Sequence, residues 1–257
     1  MERIDLSAHG FFTLDDARCG YDFTKPKPDG VKVAPAATAV TEADGVPENS
    51  WKGQPFNYFT QGVAFSQVEI DVLTGNHKTI RSDCLVDVGS SINPSIDIGQ
   101  IEGAFIQGMG WSTMEEVVYA DDDHTWVRPR ARMFTTGPGT YKIPAFNDVP
   151  ETFNVSLQQD VDNPFAVHSS KAVGEPPFFL GSSVFYAIKD AVQSARRSFG
   201  NAGYFEMRMP ATSERIRLHC CDAIARAAID KACSGAGGSS ESAESGGAET
   251  YQPQGSY

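Results

Sequence analysis

Apolar and polar residues alternate along most of the chain between Val63 and Val88, as they do in strands that bury one face. The alternation shifts phase once, near residues 66–67, and residues 74–76 (TGN) interrupt it with a sequence typical of a turn. This pattern predicts a β-hairpin with one irregularity. A third strand is predicted at residues 152–157, which alternate in the same way.

Three later segments repeat their apolar residues at helical spacing, over about residues 95–116, 177–197 and 212–233. Asn93 is suited to cap the first of these helices, and Pro94 to be its first residue. The first helix contains glycines that each cost about 1 kcal/mol relative to alanine in a helix interior, at positions 99, 103, 108 and 110. We therefore expect it to pack closely against another backbone or a ligand; the alternative is a kinked helix packed on its neighbours.

Strands followed by helices predict an α+β fold, with mixed sheets and flanking helices. Residues 1–53 are expected to form an N-terminal segment, because the Pro-, Ala- and Gly-rich stretch 24–50 is typical of a long flexible loop. The ordered domain is predicted at residues 54–233. Residues 234–257 are rich in Gly, Ser and Glu and are expected to form a disordered tail.

The chain of 257 residues has a formal net charge of -12 and no basic cluster, which argues against nucleic acid and anionic membranes as partners. No apolar run approaches the ~20 residues needed to span a bilayer, and the first residues lack the apolar core of a signal peptide. The five cysteines are irregularly spaced, without a C-x-x-C pair for zinc or an iron–sulfur cluster. We expect free thiols in a reducing compartment, and therefore a cytoplasmic protein.

Glu175 is the strongest candidate for chemistry, because it is enclosed by residues that stiffen the backbone. Gly174 permits backbone angles closed to other residues, and Pro176 disfavours the α region at Glu175. Pro177 suits the first turn of a helix. One interpretation is a carboxylate that faces a helix dipole, worth roughly 0.3–1 kcal/mol. The other is a general base held in a fixed position.

Three further positions each have two interpretations. Gln100 is either a helix-surface residue or a ligand-binding amide, and residues 89–91 (GSS) form either a tight turn or an anion site, with the turn favoured. His168, seven residues before Glu175, is expected to be structural rather than a second base.

Several segments together resemble the C-terminal part of the molybdenum-binding domain of xanthine dehydrogenase/oxidase, a molybdenum hydroxylase family. The resemblance covers about residues 56–199 and depends on segments in the family order: 65–71 (FSQVEID), 87–91 (DVGSS), 93–94 (NP), 99–108 (GQIEGAFIQG), 137–146 (GPGTYKIPAF) and 169–181 (SSKAVGEPPFFLG). The double proline after Glu175 is more similar to the xanthine enzymes than to aldehyde oxidases.

The resemblance implies Mo-dependent hydroxylation of hypoxanthine and xanthine to urate, in purine catabolism. Glu175 would be the general base that takes a proton from a molybdenum-bound hydroxide, and Gln100 would hydrogen-bond the molybdopterin. The metal would be held by the pterin, so no protein side chain is predicted as a metal ligand.

The resemblance also implies that much of the enzyme lies outside this chain. The [2Fe-2S] and FAD sites, through which electrons reach NAD or oxygen, have no counterpart here, and neither has the first half of the molybdenum domain. We therefore expect a fragment that is inactive alone, whose partners are a purine substrate and the missing N-terminal portion, in a homodimer when full length. The alternatives are an aldehyde oxidase-type fragment and a non-catalytic chain that packs on a full-length partner.

Overall fold

The computed structural model describes residues 56–122 and 124–235, with side chains up to residue 231. These residues belong to two compact units. The first unit contains the described residues 56–61, 87–94 and 157–172, and the second contains 62–86, 95–156 and 173–235. The predictions for residues 1–53 and for the tail lie outside the described residues, except that residues 234–235 end the last helix. Residues 54–55, the start of the predicted ordered domain, are also undescribed.

The predicted hairpin and third strand are confirmed. Strand β1 (Gly62–Ile70) pairs antiparallel with β2 (His77–Val86), and the sheet has the order β1-β2-β3 with β3 at Thr152–Leu157. The predicted irregularity is a β-bulge, because the register shifts between Gln67 and Val68 and leaves Ile80 without a partner in β1.

The described residues contain four α-helices: α1 (Pro94–Thr113), which precedes β3, and then α2 (Ser182–Ser198), α3 (Ser213–Cys220) and α4 (Ala223–Gly235). Helix α1 begins at Pro94 as predicted and ends three residues before the predicted end. The second predicted helix is only partly correct, because its first turn, Pro176–Gly181, is a 3-10 helix and the α-helical part begins at Ser182.

The prediction of one continuous helix over residues 212–233 is wrong. Cys221 has φ 55° and ψ 42°, a left-handed conformation that ends α3. The Asp222 carboxylate accepts a hydrogen bond from the Ala225 backbone N–H at 2.8 Å, which caps the start of α4. Asn201 donates its side-chain amide to the Cys221 carbonyl at 3.0 Å and holds the break in place.

The second unit has a core between its sheet and its helices. Helix α1 contributes Ile101, Phe105 and Met109 to it, and Phe105 packs against Phe153 of β3 with ring centroids 5.0 Å apart. Helix α2 packs on β1 and buries Val184, Ile188 and Val192. The combination of sheet and helices agrees with the α+β prediction, although the described residues contain one three-stranded sheet rather than several. None of their helices is long and apolar enough to cross a membrane.

Candidate functional site

Glu175 lies immediately before the 3-10 helix Pro176–Gly181, in the second unit. Its side chain is exposed and makes no capping hydrogen bond to that helix. The backbone has φ −97° and ψ −37°, so the prediction that Pro176 keeps Glu175 out of the α region is wrong. The physical reason is the hydrogen bond that the Glu175 carbonyl accepts from the Phe178 backbone N–H at 3.0 Å, which requires a turned backbone.

Gly174 brings the two predicted site residues close to each other. A Cβ atom at this position would lie 3.1 Å from Oε1 of Gln100, a tight contact that the exposed Gln100 side chain could relieve only by shifting. Gly174 has no positive φ angle, so the predicted need for unusual backbone angles is not the reason for a glycine here. The reason is the close approach of the Gln100 amide, which lies against the backbone one residue before Glu175.

Two other glycines attach the 3-10 helix to α1, the helix that carries Gln100. A Cβ at Gly108 would lie 1.8 Å from the Phe178 carbonyl oxygen, and a Cβ at Gly181 would lie 2.4 Å from the Met109 backbone nitrogen. Neither site can accept a side chain without moving one of the two backbones. The prediction that the glycine-rich helix packs against another backbone is therefore confirmed, and these contacts fix Glu175 relative to α1.

Gly99 and Gly103 have the opposite environment, since a Cβ at either position would meet no atom within 4 Å among the described residues. Both glycines are exposed, as is Gln100 between them. This part of α1 therefore offers a side-chain amide beside bare backbone. An amide supplies both a donor and an acceptor, and a helix surface without side chains lets a flat ring approach closely. These residues fit one edge of a pterin.

The first unit contains a buried ion pair that the sequence did not reveal. Lys171 Nζ lies 2.5 Å from Asp87 Oδ2 and donates to the Phe59 carbonyl at 2.9 Å, and both side chains are about nine-tenths buried, with exposures of 8% and 11%. The other Asp87 oxygen accepts the Gly89 backbone N–H at 2.8 Å. The only signals in the sequence were an acid directly after an apolar strand and a lysine inside the segment 169–181.

In residues 89–91, for which a tight turn was favoured, Gly89 forms an isolated antiparallel β-bridge with Ser170 and Ser90 lies in a bend. Gly89 has φ 65°, and a Cβ there would lie 2.1 Å from the Ser169 carbonyl oxygen. His168 lies in the short 3-10 helix Val167–Ser169 of the same unit, with φ 56°. Neither segment belongs to the unit that contains Glu175 and Gln100.

Two carboxylates at the end of α1 are already engaged. Glu115 accepts a hydrogen bond from the Tyr141 hydroxyl at 2.5 Å, which raises the pKa of Tyr141 to about 12. Glu116 accepts from Arg215 at 2.5 Å in a largely buried ion pair. The described residues contain no group of three or more His, Cys, Asp or Glu side chains placed to hold a metal ion.

The cysteines whose side chains are described are free and buried, namely Cys84, Cys220 and Cys221. Burial raises the pKa of Cys84 and of Cys220 to about 11, so both remain protonated thiols at neutral pH. The expectation of buried free thiols is confirmed for these three residues. Cys19 and the side chain of Cys233 lie outside the described part of the chain.

The sequence is similar to known proteins over nearly its whole length. It is 51% identical to a xanthine dehydrogenase of Oryza sativa subsp. japonica over 226 residues, or 88% of this chain and 14% of the rice protein. It is 52% identical to a xanthine dehydrogenase of Dictyostelium discoideum over 222 residues, or 86% of this chain and 14% of that protein. Because the alignment with the rice protein covers 226 of the 257 residues, it includes positions 100 and 175. The chain spans about 14% of the length of these relatives.

The fold is also found among solved structures. A reconstituted CO dehydrogenase from Oligotropha carboxidovorans matches with a TM-score of 0.52 and 25% identity, over 66% of this chain and 19% of that chain. Residues 1–150, more than half of the sequence, match the molybdopterin cofactor-binding domain family. The family resemblance predicted from the motifs is thereby confirmed: the chain belongs to the molybdopterin cofactor-binding domain family.

Proposed function

We propose that this chain forms part of the molybdenum site of a xanthine dehydrogenase, which hydroxylates hypoxanthine and xanthine to urate in purine catabolism. The support is the identity of 51% and 52% to proteins named xanthine dehydrogenase, over 88% and 86% of the chain. The same names favour a purine enzyme over an aldehyde oxidase. Because the chain corresponds to 14% of these relatives, the activity belongs to an assembled enzyme that contains more polypeptide.

Glu175 is the general base of this proposal. The single observation that carries it is an exposed carboxylate without a capping bond, on a segment that glycine contacts fix to α1. A base must be held within hydrogen-bond reach of the group that loses the proton, and such a base contributes typically ~10²- to 10⁴-fold in rate. Glu175 would accept the proton of the attacking hydroxyl group on one of its carboxylate oxygens.

Gln100 is the pterin contact of this proposal. Its amide can donate to and accept from the edge of the ring, while Gly99 and Gly103 leave the helix backbone open to it. When bound, the molybdenum–pterin cofactor supplies the redox chemistry of the hydroxylation. The Gln100 side-chain oxygen lies beside Gly174, the residue before Glu175.

The rest of the enzyme supplies what this chain lacks. We propose that the N-terminal portion provides the residues that orient the purine and most pterin contacts, together with the [2Fe-2S] and FAD sites that pass electrons to NAD or oxygen. The isolated chain would be inactive, and the full-length enzyme would be a cytoplasmic homodimer. The free thiols of Cys84, Cys220 and Cys221 fit a reducing compartment.

The experiment is to replace the matching C-terminal region of the rice enzyme with this chain and to measure urate formation. The proposal predicts that the chimaeric enzyme contains molybdenum and forms urate from xanthine, whereas the 257-residue chain alone does neither. A chimaera that contains molybdenum and oxidises aldehydes but not xanthine would contradict the purine assignment. Stoichiometric molybdenum in the isolated chain would contradict the division of the site between two parts.

A further inference from the structure

Strand β1 is at one end of the sheet, and within the described residues β2 is the only strand it pairs with. It is nine residues long, yet none of its side chains is fully buried. By contrast, β2 buries Thr79, Ser82, Cys84 and Val86. Among the described residues, the outer edge of β1 therefore presents unpaired backbone N–H and C=O groups over a length that favours strand addition.

The first half of β1 has none of the features by which proteins protect exposed edges. Residues 62–66 (GVAFS) contain no charge and no proline. Val63 and Phe65 are 61% and 66% exposed, and Val63 pairs with Leu85, which is 39% exposed. These side chains form an apolar strip on the outer face of the sheet. The next outward residues, Gln67 and Glu69, are polar and charged, so the unprotected part of the edge is the first half.

Two grooves are lined in part by β1. One groove, of about 560 Å³, lies between β1 and α2 and is lined by residues that include Ser66, Tyr186 and Asp190. The other, of about 330 Å³, spans all three strands and is lined by residues that include Phe65 of β1, Leu85 of β2 and Ser156 of β3. Successive side chains of a strand point to opposite faces, so a strand added at β1 would direct one row of its side chains to the α2 side, where the first groove lies, and the other row to the face that carries the exposed Val63 and Phe65.

We propose that the edge of β1 is the docking site for an extended strand from the part of a xanthine dehydrogenase that lies outside this chain. The inference rests on the proposed function, because the occupant belongs to the same enzyme. The relatives contain this region as 14% of their length, so most of their polypeptide is available to cover it. The added strand would place apolar side chains on Val63, Phe65 and Leu85, and a lysine or arginine towards the exposed Asp190 carboxylate.

The test compares backbone hydrogen exchange at single-residue resolution in the isolated chain and in the rice chimaera. In an antiparallel pair, alternate amides of β1 face away from β2. In the isolated chain these amides of residues 62–66 should exchange rapidly, and in the chimaera at least about 100-fold more slowly. Slow exchange in the isolated chain at low concentration would overturn the proposal and assign the edge to residues 1–55. Slow exchange that appears only as the chain concentration rises would overturn it in favour of a second copy of the chain.

Phe65→Asp and Leu73→Asp provide a matched pair of variants. Both residues are similarly exposed, at 66% and 68%, but Leu73 lies in the turn after β1, away from the proposed contact. Neither variant should change the melting temperature of the isolated chain. In the chimaera, Phe65→Asp should restore rapid exchange or prevent assembly, whereas Leu73→Asp should do neither. A Phe65→Asp chimaera that assembles and exchanges slowly would refute the docking site.

Urate formation by the unmutated chimaera separates this inference from the proposed function. Slow exchange at the β1 edge in a chimaera that forms no urate would support the docking site and contradict the activity. Urate formation together with rapid exchange at that edge would support the activity and contradict the docking site.

Discussion

Gly108 and Phe178 lie so close together that a Cβ atom at position 108 would be 1.8 Å from the Phe178 carbonyl oxygen. This contact joins α1 to the 3-10 helix that follows Glu175, and Gly181 makes a second contact of the same kind with Met109. Glycine in a helix is usually a cost. Here it allows two backbones to touch, which places the proposed base and the proposed pterin contact on one rigid assembly.

Replacing Gly108 by alanine should therefore destabilise the chain strongly. The new methyl group cannot be accommodated without separating α1 from the 3-10 helix, so we expect a loss of about 3 kcal/mol in the free energy of unfolding. The measurement is urea-induced unfolding followed by circular dichroism.

Gly103→Ala is the matched control, because it adds the same methyl group to the same helix in open space. We expect it to stabilise the chain by up to about 1 kcal/mol, through the higher helix propensity of alanine. Equal losses of stability in the two variants would contradict the packing of Gly108 on Phe178.

The open face of α1 leads to a prediction about cofactor retention. Gly103→Phe should leave the isolated chain nearly as stable as before, since the side chain enters open space. In the rice chimaera the same ring would cover the backbone beside Gln100, and the molybdenum content should fall several-fold. Metal analysis of the purified chimaera checks this prediction. An unchanged molybdenum content would contradict the proposal that the pterin binds on this face of the helix.

The Lys171–Asp87 pair should be far more important for stability than its exposed counterpart Lys78–Glu151. Lys171→Met leaves a carboxylate that is 11% exposed without its cation, which typically costs about 3–5 kcal/mol. Lys78→Met removes a lysine that is 58% exposed and should change stability little. Urea denaturation midpoints of the two variants give the comparison, and similar midpoints would contradict the structural importance of the buried pair.

His219 should make stability fall as the pH is lowered below neutrality. Its side chain is 7% exposed, and burial, together with the cations Arg196, Arg215 and Lys189, lowers its pKa to about 4. Between pH 6.5 and 4 the unfolded chain therefore binds a proton that the folded chain does not. Stability is highest above pH 6.5 and should decrease by about 2 kcal/mol from pH 7 to pH 5 through this residue alone.

His219→Gln removes the titrating ring and provides the control. The variant is expected to be less stable at pH 7, because the contact of the ring with Phe205 is lost, but its stability should change much less between pH 7 and pH 5. The free energy of unfolding at both pH values checks this. An unchanged pH dependence in the variant would show that His219 is not the residue responsible.

The sequence predicted those elements whose pattern is local. The hairpin, its bulge and β3 follow from alternation along a few residues, and the start of α1 follows from Asn93 and Pro94. The 3-10 turn before α2 could not be predicted in the same way, because its conformation depends on contact with α1. The left-handed backbone conformation of Cys221 was also missed. A non-glycine residue can keep this conformation here because Asn201 donates a hydrogen bond to its carbonyl.

For the candidate site, the family motifs identified Glu175 and Gln100, but not how close they lie. Gly174, before Glu175, lies beside the Gln100 side chain and does not have the positive φ that the sequence suggested. The Asp87–Lys171 pair was missed because its members are 84 residues apart in the chain. Contacts between such distant positions are fixed by the fold and leave no periodic signal.

The most direct measurement is urate formation by the rice chimaera that carries Glu175→Gln. Glutamine preserves the size of the side chain and its exposed position but cannot accept the proton, so kcat should fall by at least about 100-fold while molybdenum content remains unchanged. Glu102→Gln, in α1 and without an assigned role, should retain activity. A Glu175→Gln chimaera that contains molybdenum and forms urate at the rate of the unmutated chimaera would contradict the assignment of Glu175 as the base.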